Sequence, residues 1–586
     1  MTDSLRLLLE DFLGLMREEG ELDVYLPLLM SAMGHEVVYR AQKGPRQYGV
    51  DICSVGRDED GVRKLFLWLV KCGDIGRQDW NSGPQSVRQS IDDVGDVYLH
   101  SHVAPQHAGL PKKLLIVTNG DFNAALNQTI ASFLARWSND HGVNAETVNG
   151  STLAAWTERY LLDEHILPAG NRALLRRMLA NVSSPELCIA VGRALFDDLV
   201  NFAKQRAKSD AARKKRQLTA LRGIRTALSV LQVWALSEGN MLAPYRLAEY
   251  AVLCVWAGLH AEMKSGSGGT IAREFAELVF QMAAVGEAYH EAMQPYYVTQ
   301  DALAHALPDS LLVSDAAFVE LGRLGVQGIT WALYATISDN PMAEGLAGVY
   351  INRVRALLKS HSCTRSPPYD RNSIDVHAAL LLLLIGNQAA EAREWITQLV
   401  VRLAFVAKKG KYWPLTAPFE EALAIRHGYE EMDEQFISTS TLVPMLLLWS
   451  AALGMRDAYT HIRDEVIPAM SKTTLNFWSA DAGYDGLVAD PVALHAHGVG
   501  EGVLNVPADP AEFLARMAKP LGVVQTIENS PWYQFRVPYV PLLAALHWRL
   551  QVPREMLVKQ TLAVTADARE DLAGDQAAPL DERSGT

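Results

Sequence analysis

The run KLFLWLVKC at 64–72 constrains this chain more than any other segment. It is almost unbroken in apolar residues and too short for a membrane helix. A strand buried on both faces reads this way, whereas a half-exposed strand would alternate. Such a strand needs helices on both sides of its sheet, which demands an α/β arrangement. KKLLIVTNG at 112–120 repeats the pattern and stops at Asn-Gly. Around these two strands the periodicity predicts helices over 3–18, 21–33, 84–99, 123–140 and 151–162. HEVVYRA, YGVDICSV (48–55) and NAETVNG (144–150) read as further strands, the last at an edge. RDEDG at 57–61 is a charged turn. Residues 1–168 are therefore expected to form an α/β domain around a mixed sheet.

From about 169 onward helical spacing takes over, with no convincing strand series. Segments 172–181, 185–207, 211–237, 243–263, 270–291 and 311–336 place apolar residues three and four apart. Their breaks are short, as at KSGSGGT (264–270). The longer HSCTRSPPYDRNS (361–373) marks a place where the region could subdivide. Residues 169–563 are expected to be a large all-α region, either helical-repeat-like or a layered bundle, with no fixed period. Residues 564–586, rich in Ala, Asp, Gly and Pro, read as a disordered tail.

The longest apolar runs, 378–386 and 441–454, fall short of the roughly 20 residues of a membrane helix. No membrane partner is expected. The start, MTDSLRLLLEDF, carries acids among its leucines and reads as an amphipathic helix, not a secretion signal. Cys53, Cys72, Cys188, Cys254 and Cys363 lie far apart, which fits reduced thiols in a cytoplasmic protein. A formal net charge of -13 argues against non-specific coating of nucleic acid.

The order helix with Glu21, strand, Gly49-Val50-Asp51-Ile52, charged turn, apolar strand, Lys71 resembles the PD-(D/E)xK restriction-endonuclease-like superfamily, in particular its Mrr-like branch. The pattern covers residues 21–75; the later strand and helix fit less specifically. The resemblance implies a metal-dependent nuclease acting on DNA or RNA with Mg²⁺ or Mn²⁺. Carboxylates would hold the hard cation, which activates water, and a lysine would steady the developing charge. By role, Asp51, Lys71 and Glu21 would be catalytic, and Asp51, Glu21 and Asp74 would be metal ligands. The chain departs from the pattern at Leu69, where the second acid is expected two residues before the lysine. This leaves three readings open: a displaced acid from Glu21 or Asp74, a reduced site, or a nuclease fold that only binds.

Phosphate contacts are expected from Arg77, Gln85 and Arg88, with Trp80, in the loop and helix after Lys71. They are also expected from Arg213, Lys214, Lys215 and Arg216 within the basic run 204–225. SADAGYDGLVADPVALHAHGVGEG (479–502) gathers acids and histidines without a known ligand spacing, and KKGKYWPL (408–415) mixes basic and aromatic residues. No P-loop, GxGxxG after a strand or GxSxG is present. The functional expectation is a nuclease of bacterial antiviral defence whose helical region recognises a partner protein, a phage component or nucleic acid. The other expectation is a degenerate nuclease fold serving as a binding scaffold. Self-association is open in both.

Overall fold

The computed structural model describes residues 10, 13–14, 16, 22–40, 48–82, 86–161, 169–263, 269–338, 341–409, 414–416, 419–429, 434–479, 488, 499–502, 505–519 and 539–577. The chain divides into two compact units, residues 1–247 and 248–586.

The first unit opens with α1 (Asp23–Ala32) and β1 (Glu36–Arg40). β2 (Ile52–Arg57) and β3 (Arg63–Lys71) form a hairpin over the charged turn. After β3 come the short α2 (Arg77–Asn81) and α3 (Val87–Asp93), then β4 (Lys112–Thr118). α4 (Asn127–His141), β5 (Asn144–Val148) and α5 (Gly150–Trp156) complete the α/β part. The sheet order is β1-β2-β3-β4-β5. The β1–β2 and β2–β3 pairs are antiparallel, and β3–β4 and β4–β5 are parallel. This is the expected mixed sheet, with the 144–150 strand at its edge.

β3 is central, and its nature follows from its sequence. Leu65, Leu67 and Leu69 turn to one face, and Phe66, Trp68 and Val70 to the other. All six are at most 4 % exposed. Burying each such side chain contributes about 1.5–3 kcal/mol. The leucine face packs with Trp80, Val87, Ile91, Ile130, Phe133 and Trp137 from α2, α3 and α4. On the opposite face Trp68 meets Trp156 edge-on at 6.3 Å and donates its Nε1–H to Ser54 at 2.9 Å. Tyr25 of α1 bonds Thr157 at 2.7 Å across that same side. Helices therefore cover both faces.

One end of the sheet carries an ion network. Asp58, just past β2, accepts from Lys64 of β3 at 2.6 Å and from Lys113 of β4 at 3.2 Å. Lys113 also meets Glu146 of β5 at 2.9 Å. These side chains tie four neighbouring strands together.

Three further helices belong to this unit: α6 (Ala169–Ala180), α7 (Pro185–Lys204) and α8 (Asp210–Ser237). α9 (Leu242–Leu259) contains the division between the units. The second unit is built mainly from α10 (Thr270–Val298), α11 (Ser310–Ser338), α12 (Pro341–Ser360), α13 (Ser373–Ile385) and α14 (Ala389–Lys408). It continues with α15 (Leu442–Ala452), α16 (Tyr539–Trp548) and α17 (Arg554–Ala577). α13 and α15 are buried almost all round, which explains their apolar runs without a membrane. Among the described residues no helix is long and apolar enough to cross a membrane.

The expectation of an all-α second region needs one correction. β6 (Thr439–Ser440), β7 (Thr474–Ser479) and β8 (Val499–Gly502) form a small three-stranded sheet. TLNFWS buries Leu475, Phe477 and Trp478. Six residues between long helices carry too little period to stand out in sequence. The stretch 361–373 lies within the second unit as two short turns, with Thr364, Tyr369, Asp370 and Asn372 buried. α17 runs into the segment read as a tail, with Thr561 and Thr565 fully buried.

The Asp58 network implies an acid-labile component of stability. Burial alone would raise this carboxyl, but the bonds from Lys64, the Glu59 amide and Lys113 lower it to about 2, against an ordinary 3.8. Its contribution is then fully present above about pH 4 and is lost as pH falls towards 2. Asp58→Asn is expected to cost about 1–2 kcal/mol at neutral pH. In urea unfolding at a series of pH values, its deficit against wild type should shrink below pH 4; a constant deficit would contradict the assignment.

Candidate catalytic pocket and nucleic-acid interface

The Gly-Val-Asp-Ile segment enters β2 through a tight turn. Tyr48 and Gly49 both have positive φ, 47° and 78°. A Cβ on Gly49 would lie 2.1 Å from the Ser90 carbonyl oxygen of α3, so only glycine fits against that helix. Val50 is fully buried in the leucine-face core. Asp51 donates its amide to the Trp68 carbonyl at 2.9 Å, and its carboxylate accepts the Val70 N–H at 2.7 Å. The side chain thus takes over the ladder where the backbone of β2 turns away. A β3 donor that would otherwise lack a partner is satisfied.

Burial pushes the Asp51 carboxyl up, while the Val70 N–H and the nearby charge of Lys71 draw it down; the balance lies above the ordinary carboxylate value. Lys71 ends β3, half-buried and opposite Thr118 of β4. The charge of Lys71 is thus felt at Asp51, as the smallest of the influences on that carboxyl. Leu69, two residues before Lys71 on β3, is 1 % exposed and packed in the core. It supplies no ligand oxygen, and core packing fills the position expected to hold an acid.

Asp74 lies in the loop that follows β3. It is exposed and accepts the Asp121 N–H at 2.8 Å. Ile75 pairs with Phe122 alongside it, so the loops that follow the parallel strands β3 and β4 are stitched together. Asn119 strengthens this join, accepting from the Gly73 amide at 2.7 Å and donating to the Leu13 and Met16 carbonyls. Glu21 and Gln85 lie outside the described residues, as do all but one of the acids and histidines of 479–502. Among the described residues no three His, Cys, Asp or Glu side chains gather as a metal-ligand set. For Mg²⁺ or Mn²⁺, the described residues provide one carboxylate at Asp51 with its Oδ2 already on Val70. A hard cation held there would take its remaining oxygens from water and substrate phosphate, or from a carboxylate outside the described residues.

Arg77 is exposed at the start of α2. Trp80 belongs to the core, edge-on to Phe133 at 5.7 Å, so it cannot meet a base. Its indole is the largest apolar group on a short helix and is needed to cover β3. Arg88 is exposed and lays its guanidinium over the Phe133 ring at 5.0 Å.

The basic run divides by role. Ser209 caps α8 through the Ala212 amide at 3.2 Å. Arg213 pairs with Asp210 at 3.3 Å. Arg216 donates to the Arg206 carbonyl at 3.1 Å and packs over Phe202, bracing the turn between α7 and α8. Lys214 and Lys215 remain exposed. Together with Arg222 they line a groove of about 400 Å³, whose opposite wall is Tyr160 and Ala32 of α1. The Arg159 guanidinium sits over the Tyr160 ring at 5.2 Å.

No family model, no curated protein and no solved structure matches this chain.

The Asp58 network, Asn119 and Tyr160 were not singled out in the sequence. RDEDG announced its charge, yet its Asp58 is met by Lys64 of β3 and by Lys113 of β4, which in turn meets Glu146 of β5. Tyr160 lies more than fifty residues from Lys214, and no periodicity links them.

Asp51→Ala leaves the Val70 N–H without its acceptor and is expected to cost about 1–3 kcal/mol. Asp51→Asn keeps an acceptor oxygen and removes the buried charge, so it should stay within about 1 kcal/mol of wild type. Equal losses for the two variants in chemical denaturation would show that this bond does not matter to stability.

Proposed function

We propose that this chain is a nucleic-acid-binding scaffold: a restriction-endonuclease-like α/β domain with a leucine, Leu69, where the second acid is expected, joined to a helical region. The observation that carries this reading is the groove beside α8. Its rim offers the exposed ammonium groups of Lys214 and Lys215 beside Arg222, and its wall offers the Tyr160 ring. Cations next to an aromatic surface suit single-stranded nucleic acid, whose bases stack on π faces while the backbone meets the charges. The acidic remainder of the chain favours such local contact over non-specific coating. DNA and RNA present the same phosphate and base chemistry here. Membership of an antiviral defence complex belongs to this proposal as the setting that the resemblance suggests.

A second reading keeps one specific support. Asp51 immediately precedes β2, next to the β3 strand that Lys71 ends, and its carboxyl feels the Lys71 charge; Glu21, outside the described residues, would complete a nuclease site.

Binding is tested with a fluorescent single-stranded oligonucleotide by anisotropy at several salt concentrations. Lys214→Gln/Lys215→Gln should weaken binding about ten- to a hundredfold and flatten the slope of log K against log salt by about 1.4, the value for two lost phosphate contacts on a single strand. Unchanged affinity and slope would remove the groove from the binding site. The same preparation, incubated with plasmid DNA or RNA and Mg²⁺ or Mn²⁺, separates the two readings. Cleavage that disappears in Asp51→Asn would establish the nuclease; binding without cleavage leaves the scaffold.

A further inference from the structure

A second cavity lies wholly within the helical unit, among α9, α10, α11 and the start of α16. It has a volume of about 250 Å³. Six aromatic side chains line it: Trp256, Phe275, Phe280, Trp331, Tyr334 and Tyr539. Trp256 and Phe275 are 5.5 Å apart at one side. On the other, Phe280 and Tyr334 both stand edge-on to Trp331, at 5.9 and 6.2 Å. Phe280 and Tyr334 are 37 % and 39 % exposed, so this cluster forms a mouth open to solvent.

The polar inventory of the cavity is small and specific. Among the described residues that line it, none is Asp, Glu, Lys, Arg or His. Thr330 spends its hydroxyl proton on the Val326 carbonyl at 2.8 Å. Burial pushes the Tyr539 phenol up, so it stays neutral. Trp331 is 5 % exposed, and its buried Nε1–H has no hydrogen-bond acceptor among the described residues. Buried indole N–H groups ordinarily find a partner, and an unmet donor costs about 1–3 kcal/mol.

These features select a ligand. A charged molecule would be stripped of water with no counter-charge to meet it, which is costly. Flat rings gain edge-to-face and offset contacts with the aromatic walls. A dry cavity of about 150 Å³ already accepts a benzene ring, so this one has room for two fused rings. We propose that the cavity is a binding site for a small, neutral, planar aromatic or heteroaromatic molecule whose single acceptor atom takes the Trp331 Nε1–H. This site is independent of the nucleic-acid groove and would let the helical unit respond to a small molecule.

Isoquinoline and naphthalene make the test, because they share shape and differ by one ring nitrogen. Binding to the full chain is measured by ligand-observed NMR and calorimetry at a pH where isoquinoline is neutral. Wild type should prefer isoquinoline by about tenfold. Trp331→Phe keeps an aromatic wall and removes the donor, so naphthalene affinity should change by less than about threefold and the preference should vanish. Ala276→Trp, at an exposed rim position, should weaken both ligands, with thermal melting confirming that each variant is folded. Equal affinity of the two ligands for wild type would overturn the role of Trp331. No binding of either would overturn the site itself, as when another segment of the chain fills it.

Discussion

A strand that is apolar on both sides cannot rest against water on either. β3 is such a strand, and most of the first unit follows from covering it. Its leucine face calls for α2, α3 and α4; its aromatic face calls for α1 and α5. The parallel β3–β4 pair needs a long crossover, which α2 and α3 provide. Even the ion network at the sheet end depends on this order. Lys64, Lys113 and Glu146 converge with Asp58 only because β2, β3, β4 and β5 lie side by side.

The same constraint changes the meaning of the residues that resemble a nuclease site. Gly49 is required by its left-handed turn and by the closeness of Ser90. Val50 is core, and Asp51 closes the ladder through Val70. Each residue of the motif therefore has a structural duty that does not depend on catalysis. What the fold adds is the electrostatic neighbourhood of Asp51 and Lys71. What it withholds at Leu69 is a second oxygen, since that side chain is committed to the core. The proposed binding reading has its location in the cationic groove beside α8.

The helical unit is held by charge as well as by apolar packing. Glu320 is buried and accepts from Tyr289 and Tyr297 at 2.7 Å each, with Arg323 at 2.5 Å. Asp375 is fully buried and takes both arms of Arg549 at 2.6 Å. Asp370 accepts the Thr441 and Leu442 amides at the start of α15, where the helix end favours an anion. Such pairs add little net stability when compared with apolar substitutes, yet breaking one leaves a buried charge unmet. They fix which helix meets which. The aromatic cavity of this unit differs from these networks: among the described residues that line it there is no charged side chain.

Sequence alone determined the order and type of the main elements. The two apolar strands, the alternating helices and the long helical run from 169 were legible because their periods persist over many residues. Segments such as 211–237 and 270–291 match α8 and α10 closely for that reason. The hairpin of β2 and β3 was also legible, since its two strands and charged turn are neighbours in the chain. Tertiary structure decided the rest. It committed Asp74 to Asp121, buried Trp80, set Tyr160 across from Lys214, and gathered six aromatic residues from four helices into one cavity. Each of these joins residues that are distant in the chain. Period and composition describe how a segment meets its own neighbours, whereas partners across the fold are chosen only when faces pack and donors find acceptors.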